Sequence, residues 1–211
     1  MYFLSRELYF PSVENSSDEG IVAIGGDLSP ERLMFAYRNG IFPWFEDDEP
    51  ILWWSPPERM VLFPEEFKVS KSMRNILNRG IFKVSFNARF KEVIENCSNI
   101  KRDGQRGTWI TADMAAAYCR LHDMGYARSV EVWEGSELVG GLYGIDLGHV
   151  FCGESMFSKV PNASKVAFIA LVKYLQAHNY RLLDCQVHNN HLESLGAREI
   201  PRKQFIEILK G

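Results

Sequence analysis

Asp184-Cys185-Gln186 sets two polar side chains two residues apart in an otherwise apolar stretch, Leu182 to Val187. Alternate residues of a strand share a face, so Asp184 and Gln186 are expected side by side. Polar groups placed there cost free energy unless they are hydrogen-bonded. Two arrangements satisfy them. They can bond each other and a neighbouring loop, or Asp184 can orient the Gln186 amide so that its oxygen faces an incoming amine. Phe151-Cys152-Gly153-Glu154-Ser155-Met156-Phe157 adds a carboxylate directly after a strand and a glycine, at the expected end of a sheet. Glu154 is either a surface turn residue or a partly desolvated group that attracts a protonated amine or a basic side chain.

Trp44, Trp53, Trp54 and Trp109 all fall in loop-like contexts. Such rings either pack a small core or stack on an unpaired base, a contact worth ~1–3 kcal/mol. Trp109 lies beside the basic stretch Lys101-Arg102…Arg106, which favours stacking for that ring. Cys185, His188 and His191 have metal-like spacing but straddle a strand end and lack a fourth ligand nearby, so no metal is expected. Cys152 and Cys185 sit inside apolar strands, where thiols are usually inert. Gly140-Gly141 lies mid-hairpin, without the strand–turn–helix context of a phosphate-cradling loop.

The elements that must position these residues are readable in outline. Ser29-Pro30-Glu31 starts a helix, with Leu33, Ala36 and Tyr37 on one face and Gly40 at its end. From Ile41 to Pro57, four prolines, four acids and five large aromatics exclude a helix and predict loops and short strands. Ser70 to Arg79 reads as a short basic helix, Phe82 to Phe86 as a strand, and Phe90 to Cys97 as a helix. Thr111 caps a helix carrying Met114, Tyr118 and Leu121. Ser129–Trp133 and Leu138–Tyr143 form a hairpin turning at Glu134-Gly135-Ser136, with a third strand over 150–153. Asn162 caps a long apolar helix to about His178, and two short helices near 190–195 and 202–209 finish the chain. The expected class is α+β: a small N-terminal α/β lobe over 1–60, then a domain over 61–211 with a mainly antiparallel sheet.

Bulk composition fits a globular enzyme. The chain has 211 residues, 46% hydrophobic and 24% charged, with four scattered cysteines and no disulfide signature. The first residues lack a signal-peptide pattern and no apolar run is long enough to span a bilayer, so a cytoplasmic protein without membrane association is expected. Net charge is −3, against wrapping a long nucleic acid, yet charge is uneven. Seven basic residues and no acid lie between Phe67 and Lys91, while Glu46-Asp47-Asp48-Glu49 is wholly acidic.

The strings GGDLSPERL (25–33), GIFPWF (40–45), PILWWSP (50–56), GTWIT (107–111), ELVGGLYG (137–144), FCGESMFS (151–158), NASK (162–165), DCQV (184–187) and SLGAREIPR (194–202) occur in order. Together they resemble the leucyl/phenylalanyl-tRNA–protein transferases of bacteria, from about residue 20 to the C-terminus. The resemblance implies a small N-terminal lobe and a C-terminal domain similar to the GNAT acyltransferase fold. It implies aminolysis: the α-amine of a protein beginning with Arg or Lys attacks the ester joining Leu or Phe to its tRNA, which marks that protein for N-degron proteolysis. It implies no metal or small cofactor, and a monomer is expected.

Carried over residue by residue, the resemblance makes Asp184 and Gln186 the catalytic pair and sets Glu154 beside the cationic N-terminus. Trp44 and Trp109 would hold the 3′-terminal adenosine, and Phe151, Met156, Leu171, Leu175 and Leu183 would build the amino-acid pocket. Leucines stand there where bulkier residues occur in the family, so the choice among Leu, Phe and Met stays open. Lys71, Arg74 and Arg79 would meet the tRNA backbone. Asn75 and Asn78 stand where further basic residues would fit, and the acids 46–49 follow Trp44, so tRNA binding is expected to be weaker or more salt-sensitive than a fully basic helix would give. Two rivals remain in view. An acyl-CoA-dependent N-acyltransferase would want glycine before the long helix, and 158–163 has none. An RNA-end binder gives no reason for Asp184, Gln186 and Glu154 to gather in apolar strands.

Overall fold

The computed structural model describes residues 2–100 and 110–211. Its chain builds two sheets. The smaller contains β1 (Phe3–Leu4), β2 (Ile21–Gly25), β3 (Phe42–Pro43) and β4 (Leu52–Trp54), in the order β1-β2-β4-β3. Helix α1 (Pro30–Arg38) joins β2 to β3, and the Ser29 hydroxyl accepts the Arg32 N–H at its start. Trp53 is fully buried and donates its indole N–H to the Gly25 carbonyl at 2.8 Å, so it packs this lobe rather than facing outward.

The larger sheet has seven strands: β5 (Glu58–Leu62), β6 (Phe82–Phe86), β7 (Ala127–Glu134), β8 (Glu137–Asp146), β9 (Val150–Ser158), β10 (Leu182–Gln186) and β11 (Arg198–Pro201). Their order is β11-β5-β10-β9-β8-β7-β6. Every neighbouring pair is antiparallel except β9 with β10. The fold is therefore mixed, with helices covering two mostly antiparallel sheets. The β7–β8 hairpin turns where Glu134-Gly135-Ser136 predicts it. Four strands lie outside the expected set: β1, β2, β5 and β11. β5 also runs across residue 60, the expected edge of the N-terminal lobe.

Helices α2 (Lys71–Asn78), α3 (Phe90–Asn99), α4 (Ala112–Asp123), α5 (Ala163–Ala177), α6 (Asn190–Glu193) and α7 (Arg202–Lys210) complete the described chain. Thr111 caps α4 as its sequence predicts, accepting the Met114 N–H. At α5 the expected cap differs. Asn162 takes a left-handed conformation (φ 71°) and its side chain makes no capping bond; the Ser158 hydroxyl accepts the Ser164 N–H instead.

Strand alternation sorts the apolar residues into two cores, one per face of the large sheet. Met60, Leu62, Phe151 and Leu183 join α5 and Met73 of α2 on one face. Val61, Cys152 and Leu182 join α1, α3, α4, Phe205 of α7 and Trp53 on the other. The small lobe thus shares a core with the large sheet.

Candidate active site

β9 and β10 pair in register over Val150–Cys152 and Leu182–Asp184 and then part. Each carries an irregularity at that point. Against β8, Gly144 faces Gly153 and Tyr143 faces Ser155, so Glu154 is an extra residue. Against β5, Val61 faces Asp184 and Met60 faces Gln186, so Cys185 is extra. Bulges of this kind re-aim side chains. Here they turn Glu154 and Gln186 toward one gap, where a cavity of about 560 Å³ lies. Phe42, Pro43 and Trp44 wall it from the small lobe, and Phe168 and Leu171 of α5 wall it from the opposite face.

Glu154 is not at the end of a strand, as expected, but inside β9, which continues to Ser158. It is partly exposed to the cavity and holds three donors. The Tyr37 hydroxyl reaches Oε1 at 2.7 Å, the Tyr118 hydroxyl reaches Oε2 at 3.0 Å, and the Gln186 amide N–H reaches Oε1 at 2.8 Å. The two tyrosine oxygens also touch each other. Burial pushes the Glu154 carboxyl up to about 7; the two tyrosine bonds oppose that rise and the nearby Asp184 charge adds to it. Tyr37 and Tyr118, fully buried beside this carboxylate, are held well above the ordinary phenol range by burial first and its negative charge second.

Asp184 does something other than orient the Gln186 side chain. Its carboxylate is 0% exposed and receives a two-pronged bond from Arg59, itself 1% exposed, with Nε to Oδ1 at 2.8 Å and Nη2 to Oδ2 at 2.7 Å. Arg59 Nη1 also donates to the Gly40 carbonyl at 3.3 Å, and the guanidinium lies over the rings of Phe42 (4.7 Å) and Phe205 (4.5 Å). Asp184 Oδ1 accepts the backbone N–H of Gln186 at 2.9 Å. That bond helps hold Gln186 at φ +65°, a left-handed conformation that a residue with a side chain rarely adopts. The side chains of Asp184 and Gln186 therefore do not lie side by side, because the Cys185 bulge breaks the alternation. With Nε2 bound to Glu154, the Gln186 Oε1 meets no donor among the described residues.

Two family models account for most of the chain. One, described as leucyl/phenylalanyl-tRNA protein transferase, matches residues 61–210. The other, its N-terminal domain, matches residues 26–57. The chain belongs to this family. Relatives named leucyl/phenylalanyl-tRNA–protein transferase include one from Flavobacterium johnsoniae, 66% identical over the whole of both chains. One from Flavobacterium psychrophilum is 61% identical, again over the whole of both. One from Christiangramia forsetii is 55% identical over 99% of this chain and 100% of its own.

The residues expected from the sequence to serve a leucyl/phenylalanyl-tRNA protein transferase divide on the structure. Glu154, Gln186, Trp44, Met156, Leu171 and Leu183 all line the cavity. Trp44 is 38% exposed at its rim, its ring 5.7 Å from that of Trp54, which donates its indole N–H to the Trp44 carbonyl. Phe151 and Leu175 lie outside the cavity wall, 1% and 0% exposed. Phe151 is paired with Leu183 before the strands part, and Leu175 is one helical turn beyond Leu171. Phe168, three residues before Leu171 on the same face of α5, and Leu142 of β8 take their places. Lys71 and Arg74 on α2 and Arg79 at its end are exposed, line no part of the cavity, and make no ion pair among the described residues. Trp109 and the basic residues Lys101, Arg102 and Arg106 lie outside the described residues.

Cys185, His188 and His191 also line the cavity, but among the described residues no three His, Cys, Asp or Glu side chains gather closely enough to hold a metal. Burial raises both the Cys152 and Cys185 thiols, which makes them poor nucleophiles. Arg59 escaped the sequence reading, and Tyr37 and Tyr118 were placed only as apolar-face residues of their helices, not at the site. A signal existed for each: a carboxylate inside an apolar strand needs a buried donor, and a tyrosine on the apolar face of a helix needs an acceptor for its hydroxyl.

Proposed function

We propose that this chain transfers Leu or Phe, with Met a third candidate, from aminoacyl-tRNA to the α-amine of proteins beginning with Arg or Lys, marking them for N-degron proteolysis. The observation that carries the proposal is the Gln186 amide. Its backbone is anchored by a buried ion pair and its N–H by Glu154, and its oxygen, at the cavity wall, meets no donor among the described residues. That oxygen accepts one N–H of the incoming amine and aims the nitrogen lone pair at the ester carbonyl carbon. The C–N bond forms, the ester C–O bond breaks, and the ribose oxygen departs as a hydroxyl. Glutamine is a poor proton acceptor, so its contribution is orientation, and an aminoacyl ester is activated enough for orientation to matter.

The remaining roles follow the same reading. Trp44 stacks on the terminal adenine, Trp109 is assigned as its partner, and Met156, Leu171 and Leu183, with Leu142 and Phe168, receive the amino-acid side chain. Lys71, Arg74 and Arg79 meet the tRNA backbone. Glu154 faces the acceptor amine. The chemistry calls for no cofactor. The parallel β9–β10 pair parting inside a mainly antiparallel sheet, with the long α5 beside it, supports a GNAT-like description of the larger unit. We assign the small lobe to the residues before β5 and the catalytic unit to Glu58 onward, three residues earlier than expected because β5 belongs to the large sheet, the whole working as a cytoplasmic monomer.

Transfer of radiolabelled leucine from Leu-tRNA to a protein with N-terminal Arg tests the reading, with Gln186→Ala and Glu154→Ala alongside. Transfer by the parent and its loss in both variants is expected. Tight tRNA binding without transfer would refute the assigned acceptor.

A further inference from the structure

Three oxygen-bearing groups meet at the base of the cavity, each touching the other two. Tyr37 from α1 contacts Glu154 Oε1, Tyr118 from α4 contacts Glu154 Oε2, and the two phenol oxygens contact each other. A phenol brings one proton and an ionised carboxylate brings none. With Glu154 ionised, two protons serve three oxygen–oxygen contacts, and one contact is left without a hydrogen. With Glu154 neutral there are three protons for three contacts and the ring closes: Oε2–H to Tyr118, Tyr118 O–H to Tyr37, Tyr37 O–H to Oε1. In that state Oε1 still accepts the Gln186 N–H, so every group is satisfied.

We propose that Tyr37, Tyr118 and Glu154 form a proton-holding ring, and that Glu154, once ionised, takes the proton shed by the acceptor ammonium. The proposal rests on the transfer reading above. An ionised carboxylate has about four acceptor positions, of which Tyr37, Tyr118 and Gln186 use three. The fourth belongs to Oε2 of a side chain that lines the cavity. An α-ammonium with a pKa of about 8 gives it one proton. The neutral amine then attacks the ester carbonyl carbon, the carbon–oxygen bond to the ribose breaks, and the second proton leaves on the ribose oxygen. Glu154 returns its proton to solvent, so one proton is released for each amide made from an ammonium.

The other charged and titratable groups around the ring fit this role. Asp184 on β10 adds negative charge that favours the closed ring, tempered by Arg59 on β5. Cys152 on β9 and Cys185 on β10 stay neutral, raised by burial. His188 and His191 line the same cavity, and burial holds His191 below its ordinary value. The upward displacement of Glu154 to about 7 places the ring's titration where a proton acceptor is useful.

Infrared titration of the protein carrying carboxyl-¹³C glutamate tests the ring without any substrate. A protonated-carboxyl C=O band that disappears with a midpoint of about 7, and is missing from Glu154→Gln, is expected. Tyr37→Phe removes a donor to the carbonyl oxygen and should raise the frequency of that band, which a packing role alone would not do. A parent without a titrating band between about pH 5 and pH 9, or a band that persists in Glu154→Gln, overturns the ring. Single-turnover transfer to an α-ammonium acceptor, with an amine that stays neutral over this range alongside, tests the proton role. With the ammonium the rate should rise about tenfold per pH unit below the Glu154 midpoint and then level; with the neutral amine, which sheds no proton to Glu154, the profile should be flat, and Glu154→Gln should move the ammonium profile's midpoint up to the amine's own value of about 8. The same profile for both acceptors, or an ammonium midpoint unmoved in Glu154→Gln, overturns it. Absence of any transfer would remove the proton role together with the transfer reading, while the infrared band still decides the ring.

Discussion

Arg59→Met would leave the Asp184 carboxylate buried with, among the described residues, only the Gln186 backbone N–H at 2.9 Å and the weakly donating Cys152 thiol beside it. The parent guanidinium supplies two bonds to that carboxylate, at 2.8 and 2.7 Å, and one to the Gly40 carbonyl, from a site 1% exposed. Breaking a buried pair by removing one partner typically costs about 3–5 kcal/mol, because the other charge stays desolvated. Against a total stability of roughly 5–15 kcal/mol, that is a large fraction. Urea unfolding should therefore give a midpoint far below the parent's with the slope unchanged. The double variant Arg59→Met/Asp184→Leu removes both charges, and replacing a buried pair by apolar groups is commonly neutral or stabilising. It should recover most of the lost stability and none of the transfer, since Gln186 has lost the acceptor that holds its left-handed backbone. A loss below about 1 kcal/mol in Arg59→Met would show that the pair is not desolvated as described. Parent-like transfer by the double variant would refute the positioning role of Asp184.

Glu154 is raised from 4.5 to about 7 in the fold, so the folded state holds a proton that the unfolded chain gives up between those values. Its contribution is present below pH 4.5 and is lost as pH rises through 7, by at most roughly 3 kcal/mol; Glu154→Gln should lack this decline, and parallel stability curves for the two proteins would contradict it. Leu171→Ala widens the cavity and should raise transfer of Phe relative to Leu, within the ~1–3 kcal/mol that apolar pockets discriminate. Phe151→Ala, outside the cavity, should cost about 3–5 kcal/mol of stability and leave that ratio unchanged. Lys71→Ala and Arg74→Ala should each flatten the salt dependence of tRNA binding by roughly 0.7–0.9 in log–log slope; unchanged slopes would mean that neither side chain meets phosphate. Amide exchange in β3 and β10 should proceed through one common opening, and markedly faster exchange confined to β1–β4 would show that the small lobe opens alone.

Local signals were read well because local physics decides them. Thr111 caps α4, the Glu134-Gly135-Ser136 turn closes its hairpin, and Ser29-Pro30 starts α1, each through contacts a few residues long. What escaped depends on partners far along the chain. Tyr37 is 117 residues from Glu154 and Arg59 is 125 from Asp184, and no periodicity reports such pairs. The same distance hid β5 and β11, whose short sequences read as strands only where β5 pairs with β10 and β11 pairs with β5. Glu154 and Ser155 looked like the end of β9 because polar residues usually mark a boundary, whereas here a bulge carries them through the sheet. Asp184, Gln186 and Glu154 were recognisable as a group because their polarity is anomalous in apolar strands. How they bond to one another was not, since the Cys185 bulge overrides the alternation on which that expectation rested.

One line of contacts joins the Trp44 rim of the cavity to the Gln186 amide. Trp44 follows Phe42 by two residues, Phe42 lies against Arg59, Arg59 grips Asp184, and Asp184 holds the Gln186 backbone. Every member from Phe42 to Asp184 is buried, and Phe205 of the C-terminal helix closes the other side of the guanidinium. A hinge between the small lobe and the large sheet would have to pull Gly40 and Phe42 off Arg59, which exposes apolar surface and strips a hydrogen bond from a buried cation. The shared core on that face, from Trp53 to Phe205, adds to the cost. The lobe that carries Trp44 and the strand that carries Gln186 are thereby fixed to one another before any substrate arrives, the condition under which the orientation proposed for Gln186 can accelerate aminolysis.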